Sequence, residues 1–190
     1  SSDLLQLVNV TRQEERIEFG KISKELEIAQ DIQASLLPSK WPEVEGYTIA
    51  GKCNTSRNVS GDFFDVIYHE TDPDKVLLVI ADVMGKGVPA SIFAAIFRSL
   101  VRSSTELFEH PAELMRKLNR SMFQDLSGVD MFITAQIAYC DLRHRIMRIS
   151  NAGHCPLLLT SKDETMPITS HSPEGLPLGV VKQPELEELE

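Results

Sequence analysis

The residues best suited to chemistry lie in the segment Ala81-Asp-Val-Met-Gly-Lys-Gly-Val-Pro-Ala90. An apolar strand ends here in Asp82, and a carboxylate beside such a strand needs a compensating cation or several hydrogen-bond donors. Gly85 and Gly87 let the backbone approach a ligand closely, and the free amides of the following helix favour an anion, which Lys86 could also reach. The segment therefore indicates a ligand site, and an aspartate that only caps the helix is the structural alternative.

A second acidic motif, Ser60-Gly-Asp-Phe-Phe-Asp65, comes about twenty residues earlier. Asp62 and Asp65 differ in parity and so face opposite sides of a regular strand, which lets only one of them readily join Asp82. We expect Asp62 to join it across a hairpin, because the preceding Gly61 permits a tight approach. Oxygen ligands without histidine or cysteine select Mg²⁺ or Mn²⁺ rather than zinc. Alone, this motif is more typical of a turn than of a catalytic site.

Other polar residues have two interpretations each. Arg57 could reach an anion near Asp62, although an exposed loop arginine is the simpler reading. Asn151-Ala-Gly-His154 predicts a turn between strands, in which His154 belongs either to the site or to a structural hydrogen bond. A P-loop and a G-x-S-x-G nucleophile elbow are both missing. No zinc pattern fits the intervals among four further candidates, which are Cys140, His144, His154 and Cys155.

The elements that must position these residues begin with a long helix. Residues from about 4 to 37 contain no internal proline and stop before one, which predicts a single helix. Apolar positions recur at spacings of three and four from Phe19 to Leu36, and Arg12 and Glu15 interrupt their upstream continuation. We expect residues 26–37 to pack on their own domain and the first twenty to pair with another chain. Residues 1–37 are therefore interpreted as a linker or coiled-coil helix of a possible homodimer, and residues 38–190 as the core.

The core combines strands and helices. Strands are predicted at Tyr47–Cys53, Phe63–Tyr68, Val76–Ala81, Met131–Cys140, Arg145–Ser150 and Leu157–Thr160. Helices are predicted at Ala90–Ser104, with Ile92, Phe93, Ile96, Phe97 and Leu100 on one side, and from Pro111 to about Leu126, with Leu114, Met115, Leu118 and Met122 inward. The continuous apolar run at 76–81 favours a strand covered on both faces. The acidic tail at 185–190 is predicted to be a solvated strand or a frayed end.

Composition limits the function classes. The chain has 190 residues and a formal charge of −9, with basic residues scattered among acidic ones, which argues against a nucleic-acid binder. Three cysteines without a C-x-x-C pair suggest reduced thiols in a cytosol-like compartment. No apolar run approaches the roughly 20 residues of a membrane span, so we expect a cytoplasmic location and no membrane segment in this sequence.

Several motifs, in order and at their intervals, resemble the SpoIIE/RsbU branch of the bacterial metal-dependent Ser/Thr phosphatases, relatives of protein phosphatase type 2C. They are Ala29-Gln-Asp-Ile-Gln-Ala-Ser-Leu-Leu-Pro38, Gly61-Asp-Phe-Phe-Asp65, Ala81 to Ala90, Asn151-Ala-Gly-His154 and Gly175-Leu-Pro-Leu-Gly179. The resemblance spans about residues 28–180. It implies an α+β fold in which an antiparallel β-sandwich is flanked by helices, with a two-metal site of Mn²⁺ or Mg²⁺ at one end.

The resemblance also implies roles for individual residues. Asp82 and Asp62 become the catalytic metal-site residues. Asp82 bridges both metals, the Val83 backbone carbonyl binds one of them, and Asp62 holds the site directly or through water. The implied reaction is hydrolysis of phosphoserine or phosphothreonine by an activated water, without a phosphoenzyme. The implied substrate is a phosphorylated anti-sigma-factor antagonist with a STAS fold, and an upstream sensor domain is the implied regulator.

One departure from the family concerns the end of the sequence. The family continues past Gly-Leu-Pro-Leu-Gly with Thr-Asp-Gly and a late Asp-Asp-x-Thr, which supply further metal carboxylates, whereas this sequence stops at Glu190. We therefore expect the closing C-terminal strands to be absent and at least one metal to bind weakly. The alternative function is a non-catalytic or truncated signalling module that dimerises through its helix and binds a STAS-like partner.

Overall fold

The computed structural model of the chain describes residues 2–41, 44–54, 59–161 and 167–190. In chain order its elements are α1 (Ser2–Leu36), β1 (Asp62–Tyr68), β2 (Lys75–Val83), α2 (Val88–Arg102), a 3₁₀ turn (Thr105–Leu107), α3 (Pro111–Ser127), β3 (Ile133–Asp141), β4 (Ile146–Ala152), β5 (Leu157–Leu159) and β6 (Thr169–His171). Strands β1 to β4 form an antiparallel sheet in sequence order, and β5 pairs with β6 in a separate two-stranded sheet. The predicted α+β class, an antiparallel sheet with flanking helices behind a long helix, is confirmed.

The main core lies between one face of the four-stranded sheet and helices α2 and α3. Each helix has a proline in its first turn. Backbone N–H groups there have no partner within the helix, so the N–H that proline lacks loses no hydrogen bond. The inward side of α3 is the predicted one, with Leu114, Met115, Leu118 and Met122 all buried. These side chains pack with the inward residues of the central strands, and the sheet is thereby held rigidly from one side.

Helix α2 buries part of the apolar side that the sequence predicts. Phe97 is buried and Phe93 and Leu100 pack against the core, whereas Ile92 and Ile96 are 52% and 42% exposed. The buried positions are Ala90, Ala94, Phe97 and Val101. Small alanines at the contact let the helix approach the sheet closely, whereas the bulky isoleucines point away from it.

Three other expectations need correction. No strand forms at 47–53, where the structure shows only an isolated bridge between Val44 and Tyr47. Strand β2 is not covered on both faces, since Ile80 is 46% exposed. The tail is not frayed: Leu186 is buried, and Leu189 exchanges two backbone hydrogen bonds with Ile149 of β4, at 2.8 and 3.0 Å. The buried side chain of Leu186 and the backbone of Leu189 thus hold the tail on the domain, and Glu188 and Glu190 accept further hydrogen bonds from the Ala112 amide and from Arg148.

Among the side chains of α1 that the structure describes, residues 11–36, those near the end of the helix contact the core. Side chains at Leu26, Ala29, Gln33 and Leu36 are partly buried, as predicted for 26–37, whereas Phe19 upstream is 76% exposed. The pairing of the first twenty residues with another chain stays a prediction. None of the helices described is long and apolar enough to cross a membrane.

Candidate metal centre

Two carboxylates meet at the end of the β1–β2 hairpin. Asp62 and Asp82 are direct partners in the antiparallel register of the two strands, and both side chains are exposed. Partners of this kind lie on the same face of a sheet with Cβ atoms about 5 Å apart. The structure therefore brings together the two residues that the sequence singles out as metal ligands.

Like charges at this separation disfavour ionisation. Burial, the negative charge of Asp62 and a hydrogen bond between the two carboxyl groups raise the pKa of Asp82 above its ordinary value. A divalent cation between the carboxylates would remove this repulsion. The pair thus fits a hard cation such as Mg²⁺ or Mn²⁺ on the chemistry of its donors.

The Val83 carbonyl lies next to Gly61. A Cβ atom placed on Gly61 would be 2.5 Å from the Val83 oxygen and 3.1 Å from the Cβ of Ala90. The Val83 amide donates to the Gly61 carbonyl at 3.3 Å, which holds the two backbone segments side by side. Gly61 thus lets the Val83 backbone pass close to the residue that precedes Asp62, at the end of the sheet where Asp62 and Asp82 lie.

Asp65 lies on the other side of β1, as its parity requires. It is 2% exposed and accepts hydrogen bonds from Arg102 Nε at 2.6 Å and Arg102 Nη2 at 2.7 Å. Arg98 Nε adds an ion pair at 3.4 Å. Asp65 therefore ties β1 to α2 from beneath the sheet and is separated from the carboxylate pair.

A glycine turn forms the wall of the cleft beside the pair. Gly85 and Gly87 have φ values of 101° and 73°, which side-chain-bearing residues rarely adopt. Both glycines and the exposed Lys86 line the same cleft as Asp62 and Asp82, with a volume of about 180 Å³. Gly87 directly precedes α2, so the first amides of the helix lie at this cleft.

His154 reaches the site from the turn after β4. Its backbone amide donates to Asn151 Oδ1 at 2.7 Å, and Asn151 Nδ2 donates back to the His154 carbonyl at 3.0 Å. The imidazole Nδ1 lies 3.0 Å from Thr134 Oγ1, and Thr134 is the β3 partner of Asp82. His154 and Asp62 line one cleft, and burial lowers the pKa of His154. Asn151 thus shapes the turn, and His154 adjoins the carboxylate pair.

Sequence reasoning missed three residues of this centre. Thr134 could have been found only from the strand register, because no local motif marks it. Gln33 and Ser60 contact each other across 27 positions, and this contact has no signal in the local pattern. Arg57 lies outside the described residues. Within the described part of the chain, no group of three or more histidine, cysteine, aspartate or glutamate side chains comes together to hold a metal.

Comparison with known proteins decides the family. The family model for stage II sporulation protein E (SpoIIE) matches residues 72–190. This chain belongs to the SpoIIE family. It is 30% identical over 161 residues to the phosphoserine phosphatase RsbU of Bacillus subtilis strain 168, covering 84% of this chain and 46% of RsbU. It is 29% identical over 139 residues to the phosphoserine phosphatase RsbP of the same organism, covering 71% of this chain and 34% of RsbP. The chain thus spans less than half the length of these curated relatives.

Solved structures share the fold. The SiaA-PP2C domain of Pseudomonas aeruginosa superposes with a TM-score of 0.65 at 20% identity, over 90% of this chain and 68% of that one. The PP2C phosphatase domain of SpoIIE from Bacillus subtilis gives 0.53 at 19% identity, over 70% and 38% of the two chains. RsbX, solved in complex with magnesium, gives 0.50 at 18% identity, over 76% and 62%. The predicted SpoIIE/RsbU resemblance and its type 2C-like phosphatase fold are confirmed.

Proposed function

We propose that this chain is the core of a metal-dependent protein phosphatase that hydrolyses phosphoserine or phosphothreonine in a bacterial signalling protein. The observation that carries the proposal is the register pairing of Asp62 with Asp82 beside a glycine-walled cleft. Two carboxylates repel a phosphate group unless a cation lies between the carboxylates and the phosphate. The pairing that binds the cation would therefore also allow the phosphate to bind. Two relatives that carry the name phosphoserine phosphatase support the reaction type.

Each part of the site has a distinct task in this proposal. Asp62, Asp82 and the Val83 carbonyl would hold Mn²⁺ or Mg²⁺, and when bound such a cation supplies Lewis acidity and lowers the pKa of water. Lys86 and the backbone amides at the start of α2 would orient the phosphoryl oxygens. His154, adjacent to Asp62, would line the side from which the substrate enters.

The finer assignments rest on the family. A STAS-type phosphoprotein as substrate comes from the resemblance to the SpoIIE/RsbU branch, and the likeness to the phosphoserine phosphatase RsbU supports a phosphorylated protein in that role. We include in the proposal an upstream sensor domain, a homodimer formed through residues 1–37, a phosphatase core at 38–190 and a cytoplasmic location. The exposed apolar residues of α1, among them Phe19 and Ile22, support the homodimer.

The test is phosphate release from a phosphoserine STAS protein by the 190-residue chain, with and without Mn²⁺. We expect metal-dependent release that falls by about 100-fold or more in Asp62→Asn and Asp82→Asn. Glu70→Gln is the matched control, because Glu70 is an exposed carboxylate in the connection between β1 and β2, at the opposite end of the hairpin from Asp62 and Asp82. Full activity of Asp82→Asn would refute the metal assignment.

One observation favours the non-catalytic alternative. Only two carboxylates meet in the described part of the chain, which is fewer than a two-metal centre ordinarily uses. A chain that binds the STAS protein without Mn²⁺, and releases no phosphate at any Mn²⁺ concentration, would be the signalling module instead.

A further inference from the structure

The side chain of Gln33 holds the turn that carries Asp62. Gln33 Nε2 donates to the Ser60 carbonyl at 2.7 Å, and the Ser60 amide donates to Gln33 Oε1 at 2.9 Å. Through these two bonds the side-chain amide of Gln33 pairs with both the N–H and the C=O of Ser60, as the backbone of a neighbouring strand would. Ser60 thus has a β-like partner supplied by a helix 27 positions away in the sequence.

Ser60 passes this restraint to the metal centre. Its hydroxyl accepts from the Asp62 amide at 3.1 Å and lies 3.4 Å from Asp62 Oδ2. Gly61, the next residue, lies against the Val83 carbonyl with no room for a side chain. A shift of the turn would therefore move the Asp62 carboxylate and the backbone beside Val83 together.

The chemistry of this contact is specific to glutamine. Glutamate would keep the acceptor for the Ser60 amide but would oppose the Ser60 carbonyl with a second acceptor. Leucine has nearly the same size and high helix propensity but offers no polar partner. Asparagine is one methylene shorter. Only glutamine can make both bonds from this position of α1.

We propose that Gln33 is a positioning residue for the metal centre, acting through Ser60 to hold Asp62 in register with Asp82. The proposal rests on the proposed function, because it assigns Gln33 to the metal site of that function. The end of α1 near Gln33 also forms an apolar cleft with Phe63, Ala94 and Ala95, and Asp62 lies on its rim. The last turns of α1 therefore belong to the architecture of the site.

The test compares Gln33→Leu and Gln33→Glu with the wild-type chain in two measurements. The first is hydrogen exchange of the Ser60 and Asp62 amides, with the β2 and β3 amides as internal reference. The second is the Mn²⁺ concentration that gives half of the metal-induced increase in melting temperature. In Gln33→Leu we expect faster exchange at Ser60 and Asp62 alone, and an increase of about tenfold in the required Mn²⁺ concentration, from the loss of two hydrogen bonds. Gln33→Glu keeps the acceptor for the Ser60 amide and should show a smaller change in exchange at Ser60.

Gln30→Leu is the matched control. Gln30 lies one turn upstream on α1, is exposed and lines the same apolar cleft, so this change alters polarity on the helix without touching Ser60. We expect it to leave both measurements unchanged. In phosphate release, Gln33→Leu should raise the Mn²⁺ requirement while the substrate KM and the kcat at saturating Mn²⁺ stay near those of the wild type.

Two results would overturn the proposal. Unchanged exchange at Ser60 in Gln33→Leu would show that the contact does not hold the turn. Faster exchange with an unchanged Mn²⁺ requirement would show that Gln33 stabilises the turn without positioning the site. If the wild-type chain shows no Mn²⁺-dependent stabilisation, the proposed function fails instead, and the exchange rates still decide whether Gln33 holds the turn.

Discussion

Replacing Asp82 by asparagine should change stability in opposite directions with and without metal. Since burial and Asp62 raise the pKa of Asp82 in the folded chain, the folded state binds this proton more tightly than the unfolded state does. The metal-free chain should therefore lose stability as the pH rises from about 3.8 through the raised pKa. Asp82→Asn has no carboxyl group to ionise at this position, so the metal-free variant should keep the stability that the wild type loses as the pH rises.

The size of this loss of stability follows from the exposure of both carboxylates to water. Two unit charges about 4 Å apart interact by about 1 kcal/mol where water surrounds them. For a chain of this size that corresponds to an increase in Tm of about 2–4 °C in Asp82→Asn without metal. At a Mn²⁺ concentration of about 100 times its Kd, the wild type should gain about 2.7 kcal/mol, an increase of about 5–10 °C that Asp82→Asn should lose.

The assay is thermal unfolding at pH 7.5 by circular dichroism, once in EDTA and once in MnCl₂. Glu70→Gln should shift Tm by the same small amount in both buffers, because Glu70 lies at the opposite end of the β1–β2 hairpin from the carboxylate pair. A lower Tm for Asp82→Asn in EDTA would refute the repulsion between the carboxylates. An undiminished Mn²⁺ response in Asp82→Asn would refute the cation site itself.

Three further outcomes follow from the same structure. Asp65→Asn should cost about 1–3 kcal/mol in either buffer, measured by urea unfolding, because it leaves the guanidinium groups of Arg98 and Arg102 without their carboxylate. Gly61→Ala should raise the Mn²⁺ requirement by about tenfold or more and lower Tm, since the new methyl would collide with the Val83 carbonyl. Burial raises the pKa of the Cys140 thiol to about 11, so it should react with a disulfide reagent only after unfolding.

Two of these predictions have a control residue elsewhere in the chain. Gly20→Ala on α1 has open space around it and should stabilise the helix by up to about 1 kcal/mol, in contrast to Gly61→Ala. Cys155 is exposed and should react with the reagent in the native chain. Equal reactivity of Cys140 and Cys155 in the native chain, or an unchanged urea midpoint in Asp65→Asn, would contradict the burial seen here.

Local periodicity accounts for much of what could be predicted. Asp62 could be separated from Asp65 because side chains alternate along a strand, and paired with Asp82 because a hairpin joins neighbouring segments. The same local logic predicts helices α2 and α3, each of which has a proline in its first turn. These inferences need only residues that are close in the sequence.

Contacts between distant segments account for most of the rest. The pairing of Gln33 with Ser60 and of Thr134 with Asp82 depends on tertiary packing, which no local pattern encodes. The apolar residues of α2 cover more than one face of the helix. Hydrophobicity alone therefore could not decide whether the alanines or Ile92 pack against the sheet. In the tail, the acidic residues predict a solvated strand or a frayed end but not that Leu189 would pair with β4.

The position of Asp82 on a strand paired on both sides has a consequence for how the chain tolerates insertions. β2 is paired from Val76 to Asp82 with β1 and along its whole length with β3. Added residues in the connection at 69–74 would lengthen a surface loop and leave the register of these ladders intact. One residue added within β2 would turn every later side chain to the opposite face, Asp82 among them. Variation among relatives of this chain should therefore concentrate in the connection, while the lengths of the two strands stay constant.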